Sequence, residues 1–306
     1  MELKQSMPTV SVIIPTYNSA QYVVEAVESV LAQTWQDFEI LVIDDGSTDE
    51  TEQVLRRYKN PVRYLHQSNG GVAVARNRGI QESRGRYLAF LDADDTWLPD
   101  KLEFQINELQ KHPQTQACYS AFTIVDADLN PLGISRSQRQ NSALEDLLTH
   151  GNIIGSICTV LCERSLFDEV GGFDPKLSQC ADWDMWVRLA AHTEFLYLDE
   201  PLVTYRQHST NMSRNAPLLE HDSLQVLTKG FAMPALSESL RAKRQTALAR
   251  NYMVLAGTYF QARQYPDFVR CAWRAVTMDF HQFSYLAAFP KRIAARLRTK
   301  KLGEAM

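Results

Sequence analysis

No stretch of the 306 residues holds the ~20 consecutive apolar side chains that a bilayer-spanning helix needs. Cysteine is scarce: Cys118, Cys158, Cys162, Cys180 and Cys271 make an odd count with no metal-type spacing. That argues against a disulfide framework or a zinc module and for unpaired thiols in a reducing compartment, the cytoplasm. Met1 to Met7 is short and polar, without the pattern of a secretory leader. The Gly-x-Gly-x-x-Gly turn is missing after the first strand, where Pro15-Thr16-Tyr17 stands. A dinucleotide-binding oxidoreductase is therefore not expected.

What is present suits a folded globular chain. Hydrophobic residues make up 45% of the chain, enough for a core and against wholesale disorder. Charge is split. The first 240 residues carry 33 Asp+Glu against 19 Lys+Arg, whereas residues 241–306 carry 13 Lys+Arg against 3 Asp+Glu. An acidic body with a basic tail points to two parts with different surroundings. The most basic stretch, up to Lys301, has no aromatic after Phe289, and the body is acidic, so nucleic acid is not expected as a partner.

Thr9 to Pro15, Phe38 to Ile43, Val62 to His66 and Tyr87 to Leu91 read as strands. Helical patterns fall between them: one after Ser19, placed as its N-cap, one opened by a Ser47/Glu50 capping box, and one from Val72 to Ser83. This β-α alternation predicts a mostly parallel, Rossmann-like sheet flanked by helices, an α/β fold. Polar clusters follow three of the strands: Thr16-Tyr17-Asn18, Asp44-Asp45 and Asp92-Ala93-Asp94-Asp95. In open α/β sheets ligands bind at the carboxyl ends of strands. The last cluster is the most telling, because three carboxylates within four residues repel unless a positive charge sits among them. A hard divalent cation would supply it. The plainer reading is a solvated turn in which Asp94 or Asp95 caps the next helix.

Further on, a helix from Pro99 to Lys111, a strand from Cys118 to Val125, a loop over residues 126–141, a helix from Ser142 to His150 and strands at Ile157 to Cys162 and Leu202 to Tyr205 are expected. From Leu218 the pattern is helical only, and Ala247 to Phe260 with Tyr265 to Met278 is loosely like one tetratricopeptide repeat. The domains read as 1–215, with a nucleotide-binding half to about 98 and an acceptor-binding half after it, and a helical region with a basic tail over 216–306.

Four segments resemble family 2 glycosyltransferases with the GT-A fold: Val12 to Asn18, Ile43 to Asp49, Asn69 to Gly79 and Leu91 to Asp95, the last carrying the DxD motif. The likeness weakens but persists through Gly171 to Asp174, Asp182 to Asp184 and Tyr205 to His208. It implies an inverting transferase that moves a hexosyl or N-acetylhexosaminyl group from a UDP-sugar to the hydroxyl of a saccharide or lipid-linked saccharide, in cell-surface polysaccharide or glycolipid synthesis. By the same resemblance, Asp94 and His208 would hold Mn or Mg. Pro15, Thr16, Tyr17, Asn18, Asp45, Arg76, Asp92 and Ala93 would bind the nucleotide, with Arg76 meeting phosphate or orienting Asp92. Asp182 would be the base, although Ala181 stands where the family usually has Glu. Asp184 is a second candidate, and Trp183 and Trp186 are candidates for an acceptor platform, Trp186 at core spacing.

Two other functions fit parts of the pattern: a nucleotidyltransferase on a similar sheet, and a degenerate transferase that scaffolds partners. The stretch Phe289 to Lys301 reads as a basic amphipathic helix, suited to peripheral attachment to an anionic membrane surface on the inner face.

Overall fold

A computed structural model describes residues 7–208 and 215–287. The basic helix expected over residues 289–301 lies outside them. The chain divides into two compact units, residues 7–147 with 152–208 and residues 148–151 with 215–287.

The first unit opens with β1 (Val10–Thr16), α1 (Val23–Leu31), β2 (Phe38–Asp44), α2 (Thr51–Leu55), β3 (Val62–His66), α3 (Val72–Glu82) and β4 (Tyr87–Phe90). These four strands pair in parallel in the order β3-β2-β1-β4. β1, β2 and β4 are buried at every residue, which is why each is mostly apolar, with the polar Ser11 and Glu39 paired to each other. Helix α3 reaches the sheet through Gly79, where a Cβ would lie 2.4 Å from Ile13 Cγ2. Beneath the sheet Glu39 is buried with Ser11, Arg63 and Arg84 as partners. Although burial pushes its carboxyl up, the Arg84 contacts hold it below the usual range.

The second half of the sheet is mixed. After β5 (Thr96–Trp97) come α4 (Lys101–Lys111), β6 (Ala117–Val125), β7 (Pro131–Ser135), α5 (Ala143–His150), β8 (Val160–Glu163), α6 (Ser165–Val170), α7 (Ala181–Ala190) and β9 (Phe195–Arg206). The order continues β4-β8-β6-β9-β5, with β7 hairpinned onto β6. β8 runs antiparallel to both β4 and β6, whereas β6 and β9 are parallel.

Three local expectations are corrected. Helix α1 begins at Val23, with Tyr22 rather than Ser19 at its cap, because the Ser19 hydroxyl bonds back to the Tyr17 carbonyl. The Ser47/Glu50 capping box does not form: Ser47 Oγ accepts from Asn18 N, and Asp49 takes the Thr51 amide. Residues 126–141 are not all loop, since they contain β7, turned by Asp126 accepting from the Asp128 and Asn130 amides.

The second unit holds α8 (Ala216–Phe231), α9 (Glu238–Ala242), α10 (Arg244–Gln261), α11 (Tyr265–Met278) and α12 (Gln282–Ala287). Its core joins Tyr252, Leu255, Ala256 and Tyr259 of α10 with Cys271, Ala272 and Ala275 of α11. Glu220 of α8 accepts two hydrogen bonds from Arg270 and one from Tyr259.

Candidate active site

Strand ends place the polar clusters together. The pairing of Thr16 with Asp44 puts the ends of β1 and β2 side by side, and the neighbouring β4 runs straight into the acidic loop after Leu91. Pro15 and Thr16 are buried in β1, and Thr16 Oγ1 has no hydrogen-bond partner. Tyr17 is 50% exposed. Asn18, at φ 48°, accepts from the Thr48 amide at 2.8 Å and so ties the first loop to the second.

Within the second loop the two aspartates face inward. Asp44 accepts from Ser47 N at 2.8 Å and from the Tyr64 hydroxyl. Asp45 accepts from Gln67 Nε2 at 2.7 Å, Gly70 N at 2.9 Å and Gly71 N at 2.7 Å. Its carboxylate therefore organises the turn that opens α3, with limited lone-pair capacity left.

In the third loop the three aspartates diverge. Asp92 is paired with Arg76 of α3 at 2.7 Å. Ala93 is buried. Asp94 faces His208, with Oδ2 2.9 Å from Nε2. Asp95 is buried, accepting from Arg206 N at 2.9 Å and from the Cys158 thiol at 3.1 Å. Burial and then the Asp92 charge push Asp94 above the usual carboxylate range. Burial and then the charges of Asp94 and Asp92 push Asp95 up further.

This crowding is what a cation relieves. Asp94 and His208 offer a carboxylate oxygen, the donor type hard divalent cations take, and an imidazole nitrogen, a donor for transition metals, both partly open to solvent. Asp92, Asp95 and Cys158 also bring ligand atoms within 4.8 Å of one another. That trio is already held together by hydrogen bonds, Cys158 accepting from Asp92 N and donating to Asp95, and a thiol is a soft donor. Asp94 with His208, reachable from solvent and without a soft sulfur, is therefore the better candidate to hold a cation.

Asp182 stands at the start of α7, half-buried. Its Oδ1 accepts from Trp183 N at 2.7 Å and its Oδ2 from Asn152 Nδ2 at 3.0 Å. Burial raises its carboxyl, with the Arg76 charge and the Asn152 amide pulling the other way. Arg76 lies 5.6 Å over the Phe173 ring and acts electrostatically on Asp92 and Asp182 together. Asp184 is buried and turned to Arg188. Trp183 and Trp186 form no platform: both are buried, Trp183 donating to the Leu147 carbonyl and Trp186 packing on Phe173 and Phe195.

Several contributors were not singled out from sequence. Cys158 bridges the acidic loop, accepting from Asp92 N at 3.2 Å as it donates to Asp95. Tyr22 stacks on His208 at 5.3 Å, and Arg206 covers the Tyr22 ring. Asn77 clamps Phe173 through both its amide and its carbonyl. The one signal available beforehand was position: Arg206 and Asn77 lie inside the quoted motifs.

Comparison with known proteins agrees with this architecture. S. aureus TarS residues 1–349 superpose with a TM-score of 0.65 at 20% identity, over 88% of this chain and 80% of that one. The Pyrobaculum calidifontis mannosyltransferase PcManGT, solved with GDP-Man and Mn2+, gives 0.60 at 18% identity over 97% and 84%. TarS has also been solved with UDP-GlcNAc. The fold is thus that of a GT-A glycosyltransferase.

Residues 11–171 match the model of Glycosyl transferase family 2, and the chain belongs to that family. An uncharacterized glycosyltransferase of Rickettsia prowazekii is 34% identical over 78% of this chain and 76% of its own length. A putative teichuronic acid biosynthesis glycosyltransferase, TuaG of Bacillus subtilis, is 32% identical over 68% and 82%.

Proposed function

We propose that this glycosyltransferase moves a hexosyl or N-acetylhexosaminyl group from a UDP-sugar to a hydroxyl of a saccharide or lipid-linked saccharide, in one inverting displacement. The observation that carries the reading is the Arg76 guanidinium, paired with Asp92 of the acidic loop and acting on Asp182 of α7. It links the nucleotide side of the site to a carboxylate suited to take a proton.

Tyr17 offers an exposed ring for the nucleobase to stack on, and Thr16 an unpartnered hydroxyl. Pro15, Asn18, Asp45 and Ala93 frame that end. Asp92, oriented by Arg76, faces the ribose. Asp94 and His208 would hold manganese or magnesium, whose charge would offset that developing on the leaving diphosphate. Asp182 accepts the proton of the attacking hydroxyl, its geometry set by Asn152.

The ligands named with the two structural neighbours support a nucleotide-sugar donor and a metal, and the name of the B. subtilis relative supports a role in cell-surface polysaccharide synthesis. Among the described residues no helix is long and apolar enough to cross a membrane. The work would be done in the cytoplasm, peripherally at the inner membrane face.

Incubation with a panel of nucleotide sugars, acceptors and manganese tests the reading. UDP and a glycoside with its anomeric centre inverted are expected. Release of pyrophosphate, or retention of configuration, would overturn it.

A further inference from the structure

Helix α11 is packed in an unusual sense. Its small side chains, Cys271, Ala272 and Ala275, are buried, while Tyr265, Val269 and Trp273 point to solvent. Those three recur every fourth residue and so form one stripe. Trp273 is 70% exposed. Beyond α11, Phe280 and Phe283 are also exposed, their rings stacked 5.7 Å apart. A soluble surface seldom leaves this much aromatic area open without a use for it.

Charge says what could cover the stripe. Residues 215–287 carry eight Lys+Arg against five Asp+Glu; Arg270 of α11 is paired with Glu220 and Asp267, whereas Arg263 and Arg274, beside the stripe in sequence, are exposed. Residues 288–306 continue the chain from here with six Lys+Arg against one Glu. A second copy would bring the same cations face to face, and so would the chain's own C-terminal stretch laid back on α11. An anionic surface is the complementary one. Tryptophan and tyrosine belong at lipid–water interfaces, where the ring is buried to the depth of the headgroups, and basic residues alongside add attraction to anionic lipid.

We infer that the α11 face, Tyr265-Val269-Trp273 with Phe280 and Phe283, is a docking surface for anionic phospholipid bilayer. The surface belongs to the helical unit alone, and vesicle binding can be read without any nucleotide sugar. Its failure would leave the transferase reading intact, and the reverse holds as well.

The test uses the full chain and vesicles of phosphatidylcholine with or without phosphatidylglycerol. Co-sedimentation should require phosphatidylglycerol and weaken with salt. The double variant Val269→Asp/Trp273→Asp should bind at least tenfold more weakly while keeping wild-type helicity by circular dichroism. In case that variant misfolds, brominated lipid should quench wild-type tryptophan fluorescence, and Trp273→Phe should lose that quenching. Two results would overturn the inference. One is equal binding by wild type and the double variant. The other is a wild-type dimer by sedimentation velocity that the double variant turns into monomer with vesicle binding unchanged, which would make the face a subunit interface.

Discussion

Asp182 occupies the second position of α7, where the preceding residue types offer no side-chain cap, and its Oδ1 takes the free Trp183 amide. Asn can keep that hydrogen bond, though not the one Oδ2 accepts from Asn152 Nδ2, and cannot take a proton. Asp182→Asn should therefore fold normally and bind UDP as before by calorimetry, while transfer falls by roughly 10²–10⁴-fold, the usual worth of a positioned base. Retained transfer would remove Asp182 from the chemistry. The pH dependence follows from the same carboxyl. Because burial raises it, the active deprotonated form accumulates only as pH climbs through that raised value. The acidic limb of turnover should lie above the usual carboxylate range. Asn152→Ala removes one of the contacts that pull the carboxyl down, so its limb should move to higher pH. A limb that stays where it was would mean another group sets it.

Among the elements, legibility tracked burial. β1, β2 and β4 are legible because strands buried on both faces are mostly apolar. β7 is not, since four of its five residues are exposed. Only the last few residues of β9 are legible in the sequence, because Asp199-Glu200-Pro201 interrupts it and looks like a turn; instead the pairing with β6 shifts register there and the strand continues. The acidic cluster was legible because it follows a strand directly. Its supports were not, since the Cys158–Asp95 and Arg206–Asp95 contacts span 63 and 111 residues of chain. Both ends of the acidic loop meet at the Cys158 sulfur, which makes this residue a positioning one. Cys158→Ala should raise the KM for the sugar nucleotide and weaken manganese binding in a direct titration. Cys158→Ser, which keeps a donor and an acceptor, should recover most of both. Equal losses in the two variants would reduce Cys158 to packing. On α3, Gly79→Ala would drive a methyl into Ile13 and should cost about 1–3 kcal/mol, read as a lower Tm with an unchanged KM.

At the scale of the whole molecule, the proposed ligands should act as stabilisers. UDP with manganese at about a hundred times its Kd should add ~2.7 kcal/mol to the unit that binds it. A chelator should remove that gain, and UDP giving the same shift with and without chelator would separate nucleotide binding from the metal. A different handle is already built in. All five cysteines lie outside any disulfide and are buried. An alkylating reagent can reach each one only when its own wall swings open, so the capture rate of each sulfur is a clock for local opening. Cys158 times the acidic loop, whereas Cys271 times the helical unit. Tagging the native protein slowly and reading the sites by mass spectrometry would chart which walls breathe, with no label engineered in.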